Sequence, residues 1–215
     1  MKKTIAIFGA GIGGLTVAHQ LSQYPEYIID IYEKKEDIGG LARSIRDRDG
    51  CCSEYSWRVF FGFYNNLFGI LGQMPLIENP SDTVLNNLDI YRHTNFTDKK
   101  ISLKDKAIAM YNIMYGFTSC DKRLDEMDNL KWFDALGVSS KSNIFRQIGP
   151  WLGMSRYDGS YKSVIKVGFE MQILNTYLDD NYKDYVTTKS TSEAWFDHWK
   201  HLLIKRGVVF HMSMN

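Results

Sequence analysis

A chain of 215 residues can bury a sizeable core, and its formal net charge of +1 with 24% charged residues gives no bulk electrostatic reason to expect nucleic-acid binding. Its three cysteines, Cys51, Cys52 and Cys120, form no CxxC or Cys/His pattern. That excludes an obvious zinc site or disulfide framework and makes a reducing, cytoplasmic compartment the expectation. No apolar stretch reaches the length of a transmembrane helix.

The first eighteen residues have a basic start and an apolar run, superficially like a secretory signal. Four glycines in ordered spacing argue against that reading, as does the direct continuation into regular helix and strand patterns. Thr4–Phe8 (TIAIF) is a short apolar run, as expected of a strand buried on both faces of a parallel sheet. A helical stretch follows, with Leu15, Ala18 and Leu21 on one side, and Tyr24-Pro25-Glu26 ends it. Ile28–Tyr32 (IIDIY) reads as a second buried strand closing at Glu33. The sum is a β-α-β unit.

Asp49-Gly50 lies between the strand-like runs Leu41–Arg48 and Cys51–Phe61, which predicts a hairpin with a tight turn at positive φ. From Gly62 to about Ser190 the apolar period becomes helical, at Tyr64–Leu71, Lys104–Phe117, Leu130–Leu136, Ile144–Leu152 and Ser163–Leu178. Lys104–Phe117 is rich in Met and Tyr. It can pack within this insertion or lie on a membrane surface as a peripheral contact. Ser190-x-x-Glu193 predicts a capping box, the helix runs to Arg206, Gly207 stops it, and Val208–His211 begins another strand. The predicted fold is therefore α/β. The α/β layer is assembled from residues 1–61 and 191–215, and residues 62–190 form a mostly helical insertion.

Gly9-Ala10-Gly11-Ile12-Gly13-Gly14 satisfies G-x-G-x-x-G through Gly9, Gly11 and Gly14. The first glycine allows the tight turn, the second leaves room for a pyrophosphate, and the third lets the helix pack closely on the sheet. The helix N-terminus then offers unpaired amides and a partial positive charge to the phosphates. Glu33 stands nineteen positions after Gly14, where a carboxylate accepts hydrogen bonds from ribose hydroxyls and repels a 2′-phosphate. FAD and NAD share this adenosine end. A second glycine pair, Gly39-Gly40, lets more backbone approach the pyrophosphate, and Arg43 can pair with its charge. Arg58 can reach the flavin or an anionic substrate group, with a surface ion pair as the alternative.

The G-x-G-x-x-G loop, the acid closing the second strand and Gly39-Gly40-x-x-Arg43-Ser44 together resemble the superfamily of flavin-containing amine oxidases and phytoene (carotenoid) desaturases. The likeness continues loosely through Glu54–Phe60 and Tyr64–Leu67, then through Thr191–Asp197 and Gly207–Phe210. It implies that residues 1–61 and 191–215 form a Rossmann-type FAD/NAD(P)-binding domain and residues 62–190 a substrate-side insertion, with FAD as cofactor and hydride removal from an amine or an isoprenoid-like, lipophilic small molecule. The cofactor-binding set is Gly9, Gly11, Ile12, Gly13, Gly14, Glu33, Lys34, Gly40, Leu41, Arg43 and Arg58. No catalytic residue, metal site or oligomeric state is assigned. The five histidines are scattered, and His198, on a helix beside Trp195 and Trp199, reads as a solvated or packing residue rather than a catalytic one. Members of that superfamily are longer, so the chain is expected to represent only its N-terminal part. A non-catalytic dinucleotide-binding protein and a NAD-linked oxidoreductase remain as alternatives.

Overall fold

The computed structural model describes residues 2–56, 58–91, 102–126, 160–163 and 183–214. Its first elements are β1 (Lys3–Phe8), α1 (Ile12–Leu21), β2 (Tyr27–Tyr32), β3 (Ser44–Arg46), β4 (Cys52–Glu54) and α2 (Asn65–Leu71). They continue with β5 (Leu88–Tyr91), α3 (Leu103–Phe117), α4 (Asp121–Glu126), β6 (Asp184–Thr187), α5 (Asp197–Lys205) and β7 (Val209–His211). Short 3₁₀ turns cover Gly40–Ala42 and Val84–Asn87, and a π-helical turn, Ser192–Phe196, leads into α5.

The chain divides into two compact units, residues 1–91 with 183–215, and residues 92–182. In the first, β1, β2 and β7 form a parallel sheet in the order β1-β2-β7. The return of β7 to the side of β2 is the α/β re-entry expected after Gly207. Alternation decides what the sheet buries. Ile29 and Ile31 of β2 point to one face and are buried with Leu15 and Ala18 of α1 and Trp199 and Leu203 of α5. The two helices lie side by side: Trp199 Nε1 donates to His19 Nδ1 at 3.1 Å, and Arg206 donates to the His19 carbonyl at 3.2 Å.

Three expectations are corrected. The run TIAIF is not buried on both faces, because among the described residues β1 pairs only with β2 and α1 covers a single face. Phe8 is 84% exposed. The hairpin has strands of three residues each, and its connection is longer than a two-residue turn. The Asp47 carboxylate accepts from Asp49 N and Cys51 N, and of the turn residues only Gly50 has positive φ, at +79°. A side-chain acceptor thus does the work that the Asp-Gly pair was expected to do through backbone geometry alone. The stretch 62–190 is also less uniformly helical than its apolar period implies. β5 and β6 pair antiparallel, and Phe60 bridges Tyr185. These strands, with residues 62–91 and 183–190, lie in the same unit as the parallel sheet.

The capping box forms in half. Ser190 Oγ accepts from Glu193 N at 3.4 Å, while the Glu193 carboxylate turns to pair with Arg46. In the second unit α3 starts with Ser102 Oγ accepting from Asp105 N, and Tyr161 Oη donates to the Asn112 carbonyl. Leu103, Met110, Tyr111 and Met114 are exposed along α3. The helices expected at Leu130–Leu136 and Ile144–Leu152 lie outside the described residues, as does all but the start of that at Ser163–Leu178. No helix among the described residues is long and apolar enough to cross a membrane.

Candidate dinucleotide-binding site

β1 ends at Phe8, and the chain must reverse at once to start α1. Gly9 makes that turn at φ +99°, a left-handed conformation that side chains with a Cβ rarely adopt. Gly9 N donates to the Tyr32 carbonyl at 2.7 Å, keeping the turn against β2. Gly14 lies so close to Gly9 that a Cβ there would collide with the Gly9 carbonyl oxygen. This contact is the close helix–sheet packing expected of the third glycine. Cβ atoms at Gly11 and Gly13 would meet nothing within 4 Å. Open space thus faces the first turn of α1, whose N-cap Gly11 provides no side-chain hydrogen bond. Those amides are available to an anion, with the helix dipole behind them. Ile12, the first helical residue, is 41% exposed.

Glu33 lies beneath this loop and is buried. Its carboxylate accepts from Ala10 N at 2.6 Å and from Lys35 N at 2.8 Å. The acid expected to meet a ribose therefore also fixes the loop expected to meet the phosphates. A carboxylate has about four lone-pair sites, so two stay open for further donors. A cleft of about 440 Å³ opens beside it, lined by Phe8, Gly9, Tyr32, Glu33, Lys34 and Met214. Rings stack across the strand ends in register. Phe8 lies on Tyr32 with centroids 5.5 Å apart, and Tyr32 on His211 at 4.5 Å. His211 Nε2 contacts Asp30 Oδ1 at 2.8 Å.

The second glycine turn meets the first. Gly39 N donates to the Ala10 carbonyl at 2.8 Å, and a Cβ on Gly40 would lie 3.2 Å from the Gly11 Cα. Both glycines are required by close approach, Gly39 also because the Phe196 ring lies against it. Leu41 is 73% exposed. Arg43 follows, partly buried, and its guanidinium has no hydrogen-bond or ion-pair partner among the described residues. Arg58 is different. Its guanidinium donates to Glu54 at 2.7 Å, to Thr191 Oγ1 at 2.9 Å and to the Leu41 carbonyl at 3.1 Å.

The structure thus gathers Gly9–Gly14, Glu33, Lys34, Gly39–Gly40 and Arg43 around one loop–helix junction, while Arg58 is engaged by the chain itself. Sequence reasoning missed the lining residues Phe8, Tyr32 and Met214 and the partners Ser44, Glu54, Thr191 and Ser192. The last two come from more than 130 positions away. His198 is buried, as the packing reading expects, and Ile77 N donates to its Nδ1 at 3.1 Å. His19 is also buried, with Nε2 3.0 Å from Gln73 Oε1. Burial lowers the pKa of both rings. Among the described residues no group of three or more His, Cys, Asp or Glu could hold a metal ion.

Comparison with known proteins agrees with this geometry. Residues 7–74 match the NAD(P)-binding Rossmann-like domain family. A zeta-carotene desaturase from Solanum lycopersicum is 41% identical over 78 residues, covering 36% of this chain and 13% of that protein. The zeta-carotene desaturase of Synechocystis is 29% identical over 169 residues, covering 64% of this chain and 34% of its own length. A putrescine oxidase structure superimposes with a TM-score of 0.60 at 13% identity, over 98% of this chain and 51% of that one. The chain spans about half the length of that solved structure, and its matches span less of the two desaturases. The chain carries an NAD(P)-binding Rossmann-like domain, related in sequence to the carotenoid desaturases and in fold to an amine oxidase.

Proposed function

We propose that this chain binds FAD through its N-terminal loop–helix junction and belongs to an FAD-dependent oxidoreductase that removes a hydride from an amine or an isoprenoid-like molecule. The observation that carries the reading is the meeting of two glycine turns, Gly9–Gly14 and Gly39–Gly40, over a buried Glu33, followed by Arg43, which is unpaired among the described residues. The first turn of α1 and Arg43 hold the pyrophosphate, and the open space at Gly11 admits it. Glu33 accepts from the ribose hydroxyls with its two remaining lone-pair sites. Phe8, Tyr32 and Met214 wall the adjoining cleft with apolar surface suited to a planar base. FAD, when bound, supplies the hydride acceptor, and the protein supplies position and electrostatics.

The choice of substrate class rests on relatives named as zeta-carotene desaturases and on a fold neighbour that oxidises putrescine. A lipophilic or amine substrate suits each in turn. A NAD-linked reading is favoured by the family that residues 7–74 match. Titration of the purified chain with FAD and with NAD, followed by its visible spectrum and by calorimetry, separates the two. FAD should bind at least tenfold more tightly than NAD, about 1.4 kcal/mol of preference. Preference for NAD, or a colourless chain that FAD does not titrate, overturns the proposal. Bleaching of bound flavin by a carotenoid or a diamine in the absence of oxygen then names the substrate class.

A further inference from the structure

The clasp around Glu54 joins three separate stretches of chain, 39–44, 54–58 and 191–192. Its carboxylate accepts from Ser44 Oγ at 2.6 Å, Thr191 N at 2.7 Å, Thr191 Oγ1 at 3.0 Å and Arg58 Nη1 at 2.7 Å. Ser44 N donates to Ser192 Oγ at 2.9 Å, and Ser192 N donates back to Ser44 Oγ at 3.1 Å. Arg58, held by Glu54 and Thr191, donates its other terminal nitrogen to the Leu41 carbonyl. The segment 39–44 is therefore pinned at three places: to the first glycine turn at Gly39, to Arg58 at Leu41, and to Glu54 and Ser192 at Ser44. Arg43 sits between the last two pins and is itself unpaired among the described residues.

We infer that Glu54 is a positioning residue for the pyrophosphate site: through Arg58 and Ser44 it sets where the second glycine turn and Arg43 stand, without touching the dinucleotide. This rests on the dinucleotide-binding reading above. Arg58 accordingly acts on the ligand only through the Leu41 carbonyl. The clasp lies part-buried, with Arg58 and Glu54 side chains 17% and 24% exposed, so its charged hydrogen bonds are partly shielded from water. A conserved side-chain shape is not enough to maintain it. Glutamine at position 54 offers one acceptor oxygen, and its amide N–H groups, placed where either carboxylate oxygen stood, would face a donor, Thr191 N at one and Arg58 Nη1 at the other. Loss of the anchor frees the Leu41 carbonyl and lets Arg43 leave its place, whereas the Glu33 side of the site keeps its own hydrogen bonds to Ala10 and Lys35.

The experiment is a comparison of ligand lengths on the purified chain. Kd values for adenosine, ADP and FAD are measured by calorimetry or NMR titration for the wild type, Glu54→Gln, Thr191→Val and the core control Val208→Ala. Glu54→Gln should weaken ADP and FAD about tenfold and change adenosine by less than about twofold. Thr191→Val, which removes one acceptor and one donor from the clasp, should move ADP in the same direction by a smaller factor. Val208→Ala lowers the melting temperature and should leave the ratio of ADP to adenosine affinity unchanged. An unchanged ratio in both Glu54→Gln and Thr191→Val overturns the positioning role, as does an equal loss of adenosine and ADP. If Glu54→Gln does not fold, the ratio in Thr191→Val decides. A wild type that binds ADP and FAD while the variants keep its ratio refutes only the positioning role. A wild type that binds neither refutes the dinucleotide reading and this role with it.

Discussion

On one face of the sheet Ile29 and Ile31 are buried beneath α1 and α5; on the other, Ile28 is 41% exposed and Val209 46% exposed. Ile28, Ile29 and Ile31 are neighbours in sequence, Val209 is beside them in the sheet, and all four are nearly identical in chemistry. Parallel strands usually carry apolar side chains on both faces because helices cover both. Here the sequence of β1 and β2 has that composition, but among the described residues a helical layer is present on one side only. Hydrophobicity thus says which residues can be buried, and the packed layer decides which ones are. The two faces should respond to substitution very differently.

The sharpest contrast comes at the covered face. Gly14→Ala forces a Cβ into the Gly9 carbonyl oxygen, which is backbone and cannot step aside. Loss of more than about 3 kcal/mol in urea unfolding is expected, together with loss of FAD binding. Leu203→Ala, beneath the same layer and fully buried, should cost about 2–5 kcal/mol in the same measurement. Ile28→Thr and Val209→Thr on the open face should each stay within about 0.5 kcal/mol of the wild type. A cost on the open face equal to that of Leu203→Ala would dissolve the distinction.

Acid should also act through the covered side. His19 sits between α1 and α5 and accepts the Trp199 indole N–H, so its neutral form is the one the packing holds. Burial lowers its pKa and that of His198 from the ordinary 6.5. The unfolded chain takes up protons first as the pH falls below about 6.5, so stability is complete above that value and declines below it. The urea midpoint should therefore drop between pH 7.5 and pH 5.5, and His19→Gln should reduce that drop. At lower pH a second loss is expected from Glu54. Burial works against its charge, yet hydrogen bonds from Ser44 and Thr191 and the Arg58 charge hold its carboxyl below the ordinary 4.5. Its contribution is present above that value and disappears as the pH falls through the lowered one.

The β-α-β unit, its glycine spacing and the acid at Glu33 were legible because each rests on a local rule: apolar run, turn glycine, helix period and strand end within little more than thirty residues. The re-entry at Gly207 and β7 was legible for the same reason. The pairing of β5 with β6 was not, since Leu88–Tyr91 and Asp184–Thr187 are short, lack clean alternation and find each other across almost a hundred residues. For Arg58 the sequence left a ligand-facing role and an ion pair both open; the ion pair, with Glu54 four residues back, is the one formed, and its further partner Thr191 is 133 positions away. The ring stack at Phe8, Tyr32 and His211 depends on strand register, which hydrophobic pattern alone does not fix.

Those long separations set the order in which the molecule can be made. Residues 1–46 hold most of the groups proposed to meet a dinucleotide, but the strand that flanks β2 and the serine that clasps Ser44 lie beyond residue 190. During synthesis the glycine loop emerges first and waits through some 150 residues before Ser192 can dock on Ser44. Closure over such a distance is slow compared with forming α1 or the β3–β4 hairpin. Until it happens, β2 has an unpaired edge and its apolar residues lack the α5 cover, the state in which a growing chain is most prone to associate with others.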